Sequence, residues 1–172
     1  MDGATLRQLQ APLKEHYRET PSAALVTLKA QGRLDEGLVC KVETGRMLVE
    51  AGLHPATGGH GFAACSGDML LEALVACAGV TLAAVAAALD VELRDALIRA
   101  EGDLDFRGTL GVSKEVAVGF QQIRLFFDLD TQASDEQVAT VIRLTERYCV
   151  VLQTLRQAPE ITTTATNRFQ DH

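Results

Sequence analysis

Ser66-Gly67-Asp68-Met69-Leu70-Leu71-Glu72-Ala73-Leu74-Val75-Ala76-Cys77-Ala78-Gly79-Val80-Thr81-Leu82 continues to Leu89 with almost no polar interruption, and its reading decides the fold. Polar groups gather at its start. Ser66 is placed to cap a helix there, and Asp68 suits the positive dipole end of the first turn. Ala73–Leu89 is 17 residues long, Ala-rich and closed by Asp90. That is short of the roughly 20 residues a spanning helix needs. The expectation is a helix over 68–89, apolar nearly all round and covered on most sides by its own protein.

The flanks supply what could cover it. Arg94–Arg107 alternates, with Ile98, Ala100, Gly102, Leu104 and Phe106 on one side and Arg99, Glu101, Asp103, Asp105 and Arg107 on the other. Period-two patterning of this kind predicts a half-buried strand. Gly108–Gly119 reads as a hairpin connection, and Phe120–Asp130 as a second alternating strand through Ile123, Leu125, Phe127 and Leu129. Ser134 and Gln137 form a capping-box pattern for a helix that ends near Tyr148. Cys149–Gln157 continues that helix or restarts it after a bend, and Ile161–Thr166 is expected to close the chain as a Thr-rich strand.

Upstream of the helix, Leu6, Leu9, Leu13 and Tyr17 have helical spacing, with Pro12 placed to start or kink the segment and Pro21 to end it. Strands are expected at Ala24–Ala30, Leu38–Val42 and Met47–Ala51, with Gly32–Gly37 and Glu43–Gly45 as the turns. Residues 54–61 are too Gly-rich for anything but a loop. Helix, three strands, long helix, two strands, helix pair and strand make one α+β domain over 1–172, without repeats or linkers.

Composition narrows the function. A net charge of −7 with no Lys/Arg-rich stretch argues against nucleic acid or an anionic membrane as partner. The N-terminus lacks the basic-then-apolar layout of a signal peptide, and a cytoplasmic location is the expectation. Its four cysteines, Cys40, Cys65, Cys77 and Cys149, then belong to a reducing compartment, where thiols are packed or reactive rather than structural disulfides.

Cys77 and Cys149 stand 72 positions apart and can meet only through the fold. Cys77 lies too deep in its helix for the dipole to activate it, and apolar neighbours favour the neutral thiol, so inert packing is the local reading. Activation would need a cation from elsewhere, and Arg33 is a candidate, although locally it reads as a solvated turn residue. Cys149 would feel the positive end of a new helical segment if it opens one. Glu72 is about 140° round the helix from Cys77. His54, His60 and Cys65, with Cys40, carry donor atoms that suit zinc, but no tight Cys-x-x-Cys knuckle accompanies them. Gly58-Gly59-His60-Gly61 matches neither nucleotide fingerprint. No metal and no cofactor is expected.

The stretch Ser66–Leu82, with Ala76-Cys77 on its long helix, resembles the OsmC/Ohr family of small α+β thiol peroxidases. Tyr148-Cys149-Val150-Val151 is similar to the family's Cys-Pro-Val, and Gly32-Arg33 with Gly58-Gly59 to a Gly-Arg turn and Gly-Gly loop. The likeness covers 24–166, and the helix within 1–22 lies outside it. It implies antiparallel sheets wrapped around two long central helices of an intertwined homodimer. It implies Cys77 as peroxidatic thiol, Cys149 as resolving thiol and Arg33 as the group that holds Cys77 ionised. An organic hydroperoxide would be the substrate and an external dithiol, a lipoylated protein in one branch, the reductant. Two positions depart from the pattern. The family's catalytic glutamate falls on Gly67, leaving Asp68 as the nearest carboxylate, and the proline after the second cysteine is Val150. These departures also fit a non-catalytic or redox-sensing dimer of the same fold.

Overall fold

A computed structural model describes residues 3–35, 39–42, 51–59, 61 and 64–165, with side chains for 8–27, 52–59, 61 and 64–165. In chain order the elements are α1 (Gly3–Glu19), a 3-10 turn (Pro21–Ala24), β1 (Leu25–Asp35), β2 (Val39–Val42) and β3 (Ala51–Gly52). After a second 3-10 turn (Pro55–Thr57) come β4 (Ala64–Cys65), α2 (Ser66–Ala88) and β5 (Asp95–Asp105). The chain then forms α3 (Phe106–Thr109), β6 (Phe120–Asp130), α4 (Asp135–Tyr148) and α5 (Val150–Arg156).

The main sheet is antiparallel in the order β2-β1-β5-β6, and α2 packs across β1, β2 and β5 while also meeting α4 and α5. Leu71, Leu74, Val75, Ala78, Gly79, Leu82, Val85 and Ala86 form the buried side of α2. From the sheet, Ala96, Ile98 and Ala100 meet them as the fully buried positions of β5. Gly102 completes that row because a Cβ there would stand 2.4 Å from the Phe120 ring. The outward row carries charge instead, with Arg124 between Asp103 and Glu101 and Arg99 on Asp128.

Several expectations change. Gly32-Arg33-Leu34-Asp35 is no turn: it is the last part of β1, with Arg33 opposite Lys41 and Leu97. A strand this long is stabilised by neighbours on both sides, which local glycine content does not reveal. The alternation in β5 breaks at a register shift between Asp103 and Leu104. Beyond it Asp105 is buried rather than outward, capping α3 through the Arg107 N–H and pairing with the Arg107 guanidinium. Ser66 is the first residue of α2 and Cys65 takes the cap position, without a side-chain hydrogen bond. The helix runs 23 residues, and its most apolar 18-residue stretch has a mean hydropathy of 2.1, long and apolar enough by composition to cross a membrane, yet one side is this chain's core. On its other side Leu70, Ala73, Val80, Ala84 and Ala87 are exposed.

Ile161–Ala165 is exposed and, among the described residues, pairs with no strand; a strand needs a partner. Thr166 lies outside the described residues, as do Leu38 and residues 47–50 of the other expected strands. The hairpin partner Phe120–Asp130 and the Ser134/Gln137 capping box are as expected. The chain restarts as α5 after a bend at Cys149.

The N-terminal helix is tied to the 54–59 loop. Tyr17 Oη donates to the Ala56 carbonyl at 2.8 Å and Gln10 Nε2 to that of Thr57 at 3.1 Å, over a small core of Tyr17, Ala24, Phe106 and Leu110. Gly59 must be glycine, since a Cβ would fall 1.7 Å from the Leu53 carbonyl oxygen. Leu74→Ala should cost about 2–5 kcal/mol in urea unfolding, whereas Val118→Ala on the surface should stay within about 0.5 kcal/mol.

Candidate active site

Cys77 sits halfway along α2 and is half-buried; Cys149 is fully buried at the bend between α4 and α5. Packing of α2 against both helices brings the two thiols into hydrogen-bonding contact, and neither forms a disulfide. The bend is extended backbone (φ −68°, ψ 106°). Cys149 N–H still donates to the Thr145 carbonyl, and its own carbonyl accepts from Gln153 N–H, both at 2.9 Å. The first amides of α5 have no earlier turn to bond, and they turn to sulfur.

The two thiols are pushed in opposite directions. Burial raises the Cys77 pKa, but the Val151 N–H, the Cys149 thiol, the Thr81 hydroxyl and the Val150 N–H together outweigh it, and the net shift is downward. Burial also pushes Cys149 up, against the Leu152 and Val151 amides, and the hydrogen bond and charge of Cys77 push it further, to about 11. The proton shared by the pair therefore rests on Cys149, and negative charge is favoured on Cys77. The single Thr81 hydroxyl proton is divided between the Cys77 sulfur and the Cys77 carbonyl, whose oxygen lies 2.7 Å from Oγ1.

The other expected site residues lie elsewhere. Arg33 is on β1, and its side chain lies outside the described residues. Among the described residues no cation acts on Cys77; backbone amides do that part. Asp68 is nine positions before Cys77, about 180° round α2 and about 13 Å along it, so the helix carries it away from the thiol. Burial raises Asp68's pKa, opposed by the charge of nearby His54, and burial with the Asp68 charge raises Glu72's. His54 holds its loop: Nδ1 accepts from Ala56 N–H at 3.0 Å, and the ring stacks on Phe106 at 5.0 Å. His60 lies outside the described residues, and so does the Cys40 side chain. Among the described residues no three His, Cys, Asp or Glu side chains gather as metal ligands.

Sequence reasoning missed Val150, Val151 and Thr81. The two valines act through backbone N–H groups, which leave no trace in residue type. The one available signal was the residue after Cys149, since a proline there would carry no N–H.

The family model described as OsmC-like protein matches residues 58–164. This chain therefore belongs to the OsmC-like family, with Cys77 and Cys149 both inside the matched region. Among solved structures it is similar to an OsmC-like hydroperoxide resistance protein from Jannaschia sp. CCS1 (TM-score 0.61, 16% identity, 86% of this chain and 97% of that one). It is also similar to an OsmC-like protein from Mycoplasma pneumoniae (TM-score 0.55, 16% identity, 78% and 86%). At such identity these likenesses show the α+β fold. No curated protein matched the sequence.

Val150→Pro removes one of the two amide donors to Cys77, the weaker one, and leaves the Val151 N–H in place. Position 150 is 70% exposed and opens a helix, where proline is tolerated, and Cys149 already has the extended backbone that precedes proline. Loss of a donor that favours the anion must move the Cys77 thiolate titration to higher pH. Iodoacetamide alkylation at pH values below the transition should slow about fivefold for a bond of about 1 kcal/mol.

Proposed function

We propose that this protein is a thiol-dependent peroxidase that reduces organic hydroperoxides. The observation that carries the reading is the thiol pair, with its charge favoured on Cys77 and its proton on Cys149. Cys77 thiolate attacks the terminal peroxide oxygen, the O–O bond breaks, and the alkoxide takes a proton from water to leave as an alcohol. Cys77 is left as a sulfenic acid. Cys149 then attacks that sulfur, hydroxide leaves and is protonated, and the Cys77–Cys149 disulfide forms. An external dithiol, of the kind a lipoylated protein carries, returns both thiols. Arg33 would supply a cation to the developing charge if its side chain turns toward Cys77. Asp68 would act only indirectly, through the loop that holds His54. Free Cys65, Cys77 and Cys149 fit a reducing cytoplasm.

The working unit under this reading is a homodimer. Leu70, Ala73, Val80, Ala84 and Ala87 are exposed at spacings of three and four along α2, with Cys77 on the same stripe. An apolar stripe of that length is what a second helix covers, and closing it would place an apolar wall beside Cys77 for an alkyl chain. The unpaired segment Ile161–Ala165 would find its strand partner on the second copy.

The alternative is a redox-sensing or non-catalytic dimer, favoured by Gly67 where a carboxylate is expected and by Asp68 facing away. Consumption of cumene hydroperoxide driven by dihydrolipoamide separates the two. The peroxidase reading expects many turnovers per subunit, none in Cys77→Ser, and an accumulating Cys77 sulfenate in Cys149→Ser. Single-turnover oxidation of the wild type would overturn it. Val80→Glu should convert the dimer to monomer in sedimentation velocity; an unchanged mass would exclude the α2 stripe as the interface.

A further inference from the structure

Thr145 is fully buried, and among the described residues its Oγ1 has no hydrogen-bond partner. A hydroxyl removed from water without a partner costs free energy, typically about 1–3 kcal/mol, so its retention among apolar groups calls for a reason. Its position offers one. Thr145 is one turn before Cys149 on the same helix face, and its carbonyl accepts the Cys149 N–H at 2.9 Å. Cys149 is equally inaccessible.

We propose that Thr145 is a positioning residue for the second thiol: its hydroxyl donates to the Cys149 sulfur when that sulfur becomes the thiolate that attacks Cys77. In the dithiol the Cys149 proton is held by the Cys77 sulfur, and the threonine hydroxyl is idle. Once Cys77 carries a leaving group its charge is gone, and Cys149 loses the acceptor for its S–H. Cys149 must then release its proton to water and hold negative charge in a fully buried place. Among the described residues Cys77 is the titratable group that acts on Cys149, so no cation offsets that charge. The Leu152 and Val151 amides supply part of the compensation and a reoriented Thr145 O–H the rest. The lone pair of Cys149 forms the S–S bond while the group on Cys77 departs with the bonding pair. This inference rests on Cys77 and Cys149 acting as a redox couple, though not on peroxide as the oxidant.

The test uses full-length protein with Cys40→Ser and Cys65→Ser, whose Cys77 is converted to the mixed disulfide with thionitrobenzoate by Ellman's reagent. Attack by Cys149 releases a second thionitrobenzoate, read by absorbance and requiring no peroxide. Thr145→Val should slow this release about tenfold or more near neutral pH, the worth of one hydrogen bond to a charged group, and shift its pH midpoint upward. Thr145→Ser should restore rate and midpoint, and Thr145→Val should melt no lower than the parent, since it removes an unpaired hydroxyl. A Thr145→Val rate equal to the parent at every pH would overturn the proposal and leave a packing role. Absence of a second release in the parent would overturn the couple itself, whereas failure of peroxide turnover alone would not touch this result.

Discussion

The burial of α2 is the constraint on which the rest of the structure depends. A helix with eight buried residues along one side cannot be left in water, and the antiparallel sheet β2-β1-β5-β6 supplies the cover. The sheet covers one side only. The helices α4 and α5 close another sector, and where they break at Cys149 they deliver a second thiol to the middle of α2. The apolar stripe that remains passes through Cys77. The helix that forms most of the core thus also carries Cys77 and an exposed apolar stripe.

Within that frame the chemistry follows from unequal burial and unequal hydrogen bonding of two identical groups. Cys149 is sealed in the core, and Cys77 is half-exposed and faces the free amides of the bend. An anion is therefore favoured on Cys77, and its presence disfavours one on Cys149 further, so the two thiols are pushed to opposite protonation preferences. Among the described residues backbone dipoles act on Cys77; the Arg33 side chain expected there lies outside them. Extended backbone at Cys149 does double work here: it breaks the helix and turns the Val150 and Val151 amides toward Cys77.

The long apolar stretch, the alternating pair 94–107 and 120–130 and the capping box at Ser134 were legible in residue order, each as a local pattern. The pairing of Cys77 with Cys149 was only what the resemblance implied. The places where reading failed share a cause. Arg33 read as a turn because glycine and charge surround it, yet β2 and β5 hold it extended. Asp105 read as outward because alternation was extended through a bulge that only strand pairing creates. Ile161–Ala165 read as a strand from β-branched composition, but composition provides no neighbour.

By itself the sequence determined that an α+β chain would form around one apolar helix bearing Cys77, because burial of apolar residues is written in their periodicity. Only the tertiary structure decided that Cys149 meets Cys77 and that backbone amides favour the anion on Cys77. Those facts depend on where main-chain groups and helix faces point after packing, and a string of side-chain identities does not encode the direction of an N–H bond.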